Sequence, residues 1–420
     1  MADFHQEGLI TTLHPLYEAF DRDEYLVNLE KKLVEYSRHL CISLLLPSLF
    51  SEIKNPQVLN PIMDNIQKVR YLHRVVVALG GAPEEAQFRE AKEYFGRLRT
   101  PNRDLKVVWV EGPRIQQIFR EIQERAIPTG VQGKGQSVWI TLGYLFAKED
   151  CDVIALHDCD IVTYDRILLG RLIEPTANPN NEFEFCKGYY ARISPTERAM
   201  KGRVTRLFVT PFVDAMSRIM RERGLEELMQ FFAYHRTFNY PLAGEFSFLT
   251  RLARGINIAY DWGLEVSTLS EVYKRVMNQK IAQVDLAPNY EHKHQDVSPD
   301  DGSKGLHRMV VDIAKFYMNY MRSHGFPLDD SVVDMILHSY YENTLGFIKS
   351  YSDDAEVNDL AFDRHQEELT LRQFRGFLWT AWEQIKGPHE STLIPSWNRV
   401  LYSIPGIYSQ LLEAVEKDNS

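Results

Sequence analysis

Cys151-Asp-Val-Ile-Ala-Leu-His-Asp-Cys-Asp160 is the stretch on which the fold turns. Residues 153–156 are a short apolar run, the pattern of a strand buried on both faces. The run ends in Asp158-Cys159-Asp160. Residues two apart in an extended chain point to the same side, so both carboxylates project together. They repel each other unless a cation sits between them. The carboxyl end of a central strand in an α/β sheet is where ligands bind. The stretch therefore reads as half of a divalent-metal site for a diphosphate. An Asp-x-Asp at a strand exit is also a common turn opener, and the pair alone leaves both readings standing.

Just upstream, Thr129-Gly-Val-Gln-Gly-Lys-Gly-Gln136 leads into a helical pattern over 137–148. Glycines let backbone approach a ligand, and a helix N-terminus favours anions. With Lys134 between two glycines, the loop reads as a phosphate or sugar contact, or as a flexible turn with a solvated lysine. Further upstream, apolar runs at 42–46, 73–81 and 107–110 alternate with helical patterns over 57–71, 83–98 and 113–125. Pro47 cannot donate to a ladder, so it is expected to stop the first of these strands. A turn over 48–52 then lies above that strand's carboxyl end. Residues 1–15 read as a loose lead-in and 16–38 as a surface helix. The alternation predicts an α/β fold, a mostly parallel sheet with helices on both faces. Neither GxGxxG nor a Walker loop is present, which argues against a dehydrogenase and a P-loop kinase.

Downstream, 164–174 reads as a helix, 176–181 as a loop and 182–190 as a half-buried strand. Gly202-Arg-Val-Thr205 precedes a helix around 208–222. Arg203 by charge and Thr205 by hydroxyl suit a phosphate or carboxylate, although a lone arginine is more often simply a surface residue. Glu245 stands among apolar residues, where a carboxylate is costly unless sugar hydroxyls or backbone amides satisfy it. Asp261 and Glu265 bracket Trp262-Gly263. A strand from Ile281 ends in a polar exit with His292 and His294. An imidazole there can complete the Asp site, because metal ligands need not be neighbours in sequence; an exposed strand-end histidine is the plainer alternative. Helical patterns over 307–322, 328–350, 357–385 and 397–417 carry no chemical motif and suggest packing or oligomerisation.

The chain has 420 residues, room for two domains or one large domain with additions. A formal charge of −10 argues against a general nucleic-acid surface. Cys41, Cys151, Cys159 and Cys186 show no CxxC spacing, so free thiols in a reducing cytoplasm are expected rather than zinc or disulfides. The first residues are acidic and no apolar run reaches 18 residues, so neither a signal peptide nor a membrane span is expected.

In this order the motifs resemble the glucosyl-3-phosphoglycerate synthase family, retaining glycosyltransferases of the GT-A fold, over about residues 38–296. The resemblance implies that Pro47 and Leu49 hold the donor nucleotide, with Phe50 standing where the family has asparagine. It implies that Lys134 of Gly133-Lys134-Gly135 lies by the donor. Asp158-Cys159-Asp160 matches the family's Asp-Ser-Asp, making Asp160 a ligand of Mg2+ or Mn2+ and placing Asp158 beside the ribose or metal. Lys187 and the tyrosines after it look like the family's Lys-Ser-Phe-Tyr strand. Gly202, Arg203 and Thr205 fall in its acceptor loop, which binds the phosphate and carboxylate of 3-phosphoglycerate. Gly244-Glu245 resembles Gly-Gly-Glu, with the glutamate near the sugar. Ile281 to Val284 leads to the metal-binding histidine, taken as His292 with His294 as the alternative. The family's arginine just before that histidine has no counterpart, Asn289 and Tyr290 being nearby.

The implied organisation is a lead-in (1–38), a GT-A catalytic domain (39–300; donor half 39–163, acceptor half 164–300) and a C-terminal helical region (301–420). The implied reaction moves glucose from an NDP-glucose to 3-phosphoglycerate, giving the precursor of the compatible solute glucosylglycerate. Asp160, Lys134 and Glu245 are the residues nearest the chemistry. A homodimer is the default assembly. A mannosyl-3-phosphoglycerate synthase, another acceptor, or a silent nucleotide-sugar-binding scaffold are the other readings.

Overall fold

Eight strands form one sheet in the order β1-β11-β6-β9-β5-β2-β3-β4. They are β1 (Thr11–Leu13), β2 (Ile42–Leu49), β3 (Arg74–Gly80), β4 (Asp104–Trp109), β5 (Val153–Leu156), β6 (Phe185–Tyr190), β9 (Phe246–Leu249) and β11 (Ile281–Ala287). Two short ribbons complete the set: β7 (Ile193–Ser194) with β8 (Ala199–Met200), and β10 (Ile258–Ala259) with β12 (Leu393–Ile394). The structure is a computed structural model that describes residues 5–6, 8–287, 289–291, 305–387 and 392–420.

The strand-helix alternation holds throughout the donor half. All four residues of β5 are buried, and β5 pairs parallel with β2, which pairs parallel with β3 and that with β4. The one reversal is β9, which runs antiparallel to both β5 and β6. It joins the two halves into one sheet, the mixed arrangement of a GT-A fold.

Three local expectations change. Pro47 lies inside β2, which continues to Leu49. β5 pairs with β2 only as far as Leu45, so beyond that point β3 alone is hydrogen-bonded to the strand. A proline is tolerated where one side of a strand is open. Residues 11–13 are not lead-in but an edge strand on β11, too short for periodicity to reveal. β6 is buried on both faces rather than half-buried. Its Lys187 is covered by the ring of Phe246 and donates to the carbonyl of Ala243.

The C-terminal helices are built into both halves. Gly305–Ser323, Asp330–Val357 and Arg364–Ile385 share an apolar core with Thr210–Glu222 and Glu226–Arg236. The helix expected over 397–417 is two, Trp397–Ser403 and Ile407–Asn419. Pro405 and Gly406, the latter at φ +94, break it. Trp397 stacks on Trp139 of the donor half at 4.6 Å, and Arg114 pairs with Asp418. Among the described residues no helix is long and apolar enough to cross a membrane.

Candidate active site

A cleft of about 730 Å³ opens where β2, β3 and β5 end. Pro47, Leu49, Lys134 and Asp158, the residues expected at the donor, all line it. Leu49 is more than half exposed there, an apolar surface left open in the cleft. Phe50, the departure from the family pattern, is buried in the donor-half core and does not face the cleft. The helix expected to begin at 137 begins at Lys134, inside the glycine loop.

Lys134 Nζ lies 2.7 Å from Asp158 Oδ1 and 3.0 Å from Glu265 Oε1. Burial alone would lower the lysine's pKa, but the two carboxylates more than offset it and the shift is upward. Behind the motif, the His157 ring faces the Asp158 carbonyl at 2.9 Å and the Tyr164 hydroxyl at 3.1 Å. Burial holds its pKa down to about 4, so it orients Asp158 as a neutral ring. Gly244 has to be glycine: a Cβ there would overlap the Asp158 carboxylate.

Asp160 shares the cleft with Asp158 and with a third carboxylate, Glu52. Ser48 Oγ donates to Glu52 at 2.7 Å and the Leu49 amide at 3.0 Å. Burial first, then the charges of Asp160 and Asp158, push the Glu52 carboxyl up to about 7 against those two hydrogen bonds. Three carboxylates thus share this corner of the cleft. Its ligands are carboxylate oxygens, which suit hard ions such as Mg2+ or Mn2+. Among the described residues no three ligating side chains gather closely enough to hold a metal by themselves. His292 and His294 lie outside the described residues.

Gly202, Arg203 and Thr205 line the other side of the cleft. Gly202 sits at φ +74, a conformation that favours glycine. Thr205 opens a π-helical turn, Thr205–Val209, a distortion often found at functional sites. Its hydroxyl oxygen is buried and has no hydrogen-bond partner. Arg203 Nε is 3.5 Å from Glu367 Oε1, and Arg206 reaches the same carboxylate at 2.9 and 3.3 Å. Glu367 comes from the C-terminal helix Arg364–Ile385, so a region without any motif holds the loop in place. Glu367→Ala would leave the mostly buried Arg206 uncompensated. The expected cost is about 3–5 kcal/mol of stability, read by denaturant unfolding, with weaker binding at the loop.

Glu245 requires a correction. It is fully buried and does not line the cleft. Its oxygens accept from the hydroxyls of Tyr190 at 2.7 Å and Tyr290 at 2.6 Å, and those two rings stack at 3.6 Å. These phenols, rather than the sugar hydroxyls or backbone amides expected from sequence, satisfy the carboxylate, and Tyr190 lines the cleft.

Sequence reasoning also missed one wall. Leu306, Arg308, Met309 and Ile313 of helix Gly305–Ser323 line the cleft opposite Asp261 and Glu265. The only local signal was the charged triplet Arg308, Asp312 and Lys315 on an otherwise amphipathic helix. Burial, and then Asp312, push the Asp261 carboxyl up to about 7. A carboxyl raised in the folded state favours folding at low pH. That advantage is complete below the unfolded value near 4 and lost as pH rises through about 7. Asp261→Asn should therefore raise the melting temperature at pH 8 relative to wild type, on the order of 2 °C or more, and change it little at pH 4.

No family model matches the chain. The curated glucosyl-3-phosphoglycerate synthase of Persephonella marina is 39% identical over 421 aligned positions, covering 100% of both chains. That of Methanococcoides burtonii is 37% identical, covering 99% of this chain and 98% of its own. Among solved structures, the glucosyl-3-phosphoglycerate synthase of Mycobacterium tuberculosis with Mg2+ and UDP aligns at TM-score 0.51 and 19% identity. It covers 76% of this chain and 89% of that one. The same enzyme with Mn2+, UDP-glucose and phosphoglyceric acid also gives 0.51. At that identity the structures speak for the GT-A fold, while the two full-length relatives speak for the family. The chain belongs to the glucosyl-3-phosphoglycerate synthase family.

Proposed function

We propose that this cleft moves glucose from a nucleoside-diphosphate glucose to 3-phosphoglycerate, with retention and with Mg2+ or Mn2+. The observation that carries the reading is that one cleft joins Asp158, Asp160 and Lys134 on one side to Gly202, Arg203 and Thr205 on the other. The first set would receive a diphosphate through a bound cation and the second an anionic acceptor, the two sites a glycosyl transfer between phosphorylated substrates requires.

Asp160, with Asp158 beside it, would hold a divalent cation, which would supply charge neutralisation to the diphosphate. Lys134 adds a fixed positive charge on the donor side and locks Asp158 in place. Arg203 and Thr205 hold the acceptor so that its hydroxyl meets the sugar. Such positioning can lower a barrier by about 7 kcal/mol. Asp158 is engaged by Lys134 and Glu245 is buried, so neither is placed as a covalent nucleophile. Attack on the same face that the diphosphate leaves is the consistent route to retention.

Within this proposal residues 39–300 form the catalytic unit and 301–420 complete its cleft. A cytoplasmic homodimer belongs to the same proposal: two-fold closed assemblies are the commonest, and the four cysteines are free thiols. The test is nucleoside-diphosphate release from UDP-, GDP- and ADP-glucose and GDP-mannose, with and without 3-phosphoglycerate, in Mg2+ and then in EDTA. Release from a glucose donor that needs both acceptor and metal is the expected result. Release indifferent to 3-phosphoglycerate would discard the acceptor, and no release from any donor would discard the transferase.

A further inference from the structure

The cleft contains a second arginine that no motif assigned. Arg192 follows β6 directly, where the carbonyl of Ala191 accepts from the Tyr290 amide at 2.9 Å. It therefore stands beside Asn289 and Tyr290, where the expected arginine is missing, but on the neighbouring segment. The residue lines the cleft. Its guanidinium makes one hydrogen bond, from Nη1 to the Tyr240 hydroxyl at 3.3 Å, and its Nε is buried without a partner.

The other cations of the cleft already have carboxylates. Lys134 has Asp158 and Glu265, Lys201 has Glu197 at 2.7 Å, Arg203 has Glu367, and Arg308 has Asp312 at 3.6 Å. Among the described residues Arg192 is the cleft cation without a carboxylate in ion-pair range. An arginine does not shed its proton, so a half-buried one without a counter-ion is an anion site in waiting.

Its position says which anion. The Tyr240 hydroxyl that it touches stands 2.9 Å from where a Cβ on Gly202 would be. Arg192 and the acceptor loop thus share one tyrosine. Asp160 lines the same cleft, and its charge acts on the Arg192 guanidinium. Arg192 thus stands by the acceptor loop in the cleft that Asp158 and Asp160 also line. 3-Phosphoglycerate carries two anionic groups, and its carboxylate is bonded directly to the carbon that bears the attacking hydroxyl. The phosphate lies farther out.

We propose that Arg192 pairs with the acceptor's carboxylate, while Arg203 and Thr205 take its phosphate, and that Arg192 thereby selects phosphorylated hydroxy acids over phosphorylated alcohols. Guanidinium and carboxylate match as two parallel hydrogen bonds. The inference rests on the acceptor reading above.

The experiment is calorimetric titration of full-length wild type, Arg192→Met and Arg192→Lys, all in Mg2+, with 3-phosphoglycerate, glycerol 3-phosphate and UDP. Glycerol 3-phosphate keeps the phosphate and lacks the carboxylate. Arg192→Met is expected to weaken 3-phosphoglycerate about thirtyfold, and glycerol 3-phosphate and UDP less than threefold. Arg192→Lys should recover part of the loss, and it carries the test if the methionine variant melts early. Equal weakening of both acceptors, an effect confined to UDP, or no effect would each overturn the assignment. Failure of wild type to bind 3-phosphoglycerate would sink the acceptor reading and this inference with it.

Discussion

Asp160→Ala should lower glucose transfer on the order of a thousandfold, the rate equivalent of several kcal/mol of lost charge stabilisation, and leave the fold intact. The two halves of that expectation have one cause. Asp160, Asp158 and Glu52 crowd negative charge into one corner, enough to help push the Glu52 carboxyl up to about 7. Removing Asp160 relieves that repulsion, so in EDTA the variant should melt no earlier than wild type. In saturating Mg2+ or Mn2+ the order should reverse, because a ligand that binds only the folded state stabilises it. Thermal melts of both proteins with and without the ion, beside a transfer assay, separate the cases. Wild-type turnover in the variant would remove Asp160 from the machinery. A variant that melts early in EDTA would make it a structural residue instead.

Gly135→Ala should be nearly as damaging by a different route. A Cβ on Gly135 would overlap the carbonyl of Ala259 and stand 2.9 Å from the carbonyl carbon of Tyr260. Those are backbone atoms, which cannot swing aside as a side chain does. The neighbouring Gly133 is also close to backbone, its Cβ position lying 2.9 Å from the Tyr260 carbonyl oxygen. The loop can only back away, and Lys134 goes with it, stretching its contacts to Asp158 and Glu265. Overpacking of this kind costs about 1–3 kcal/mol, and a misplacement near 1 Å costs about a hundredfold in rate. Gly96→Ala is the control, since nothing lies within 4 Å of its Cβ position and its backbone is helical. A Gly135→Ala enzyme with wild-type stability and turnover would show that the close approach has no function.

The corrected readings share a common form. Glu245 was identified as a carboxylate needing partners, and it has them, but they are Tyr190 and Tyr290 instead of a ligand. A sequence shows that a buried carboxylate must be satisfied; it does not show by what. The C-terminal helices look free of chemistry because Glu367 lies on an ordinary amphipathic helix. Its role comes from standing beside Arg206, 161 residues away in the chain. Arg192 is likewise an unremarked residue until Tyr240 and the acceptor loop close around it.

What the sequence by itself determined is everything carried by short-range order. The apolar run of β5 and the strands before it follow from side-chain periodicity. Asp158 and Asp160 both reach the cleft, but from an irregular segment beyond the end of β5 at Leu156, so the two-residue repeat of a strand does not account for it. The positive φ at Gly202 is a conformation that favours glycine. Only the tertiary structure decided that β9 enters the sheet antiparallel between β5 and β6, joining the donor side to the acceptor side. It also decided which buried charges face the cleft and which are neutralised behind it. Those outcomes depend on apolar surfaces far apart in the chain finding one another, and burial then assigns each polar group whichever partner packing has brought within reach.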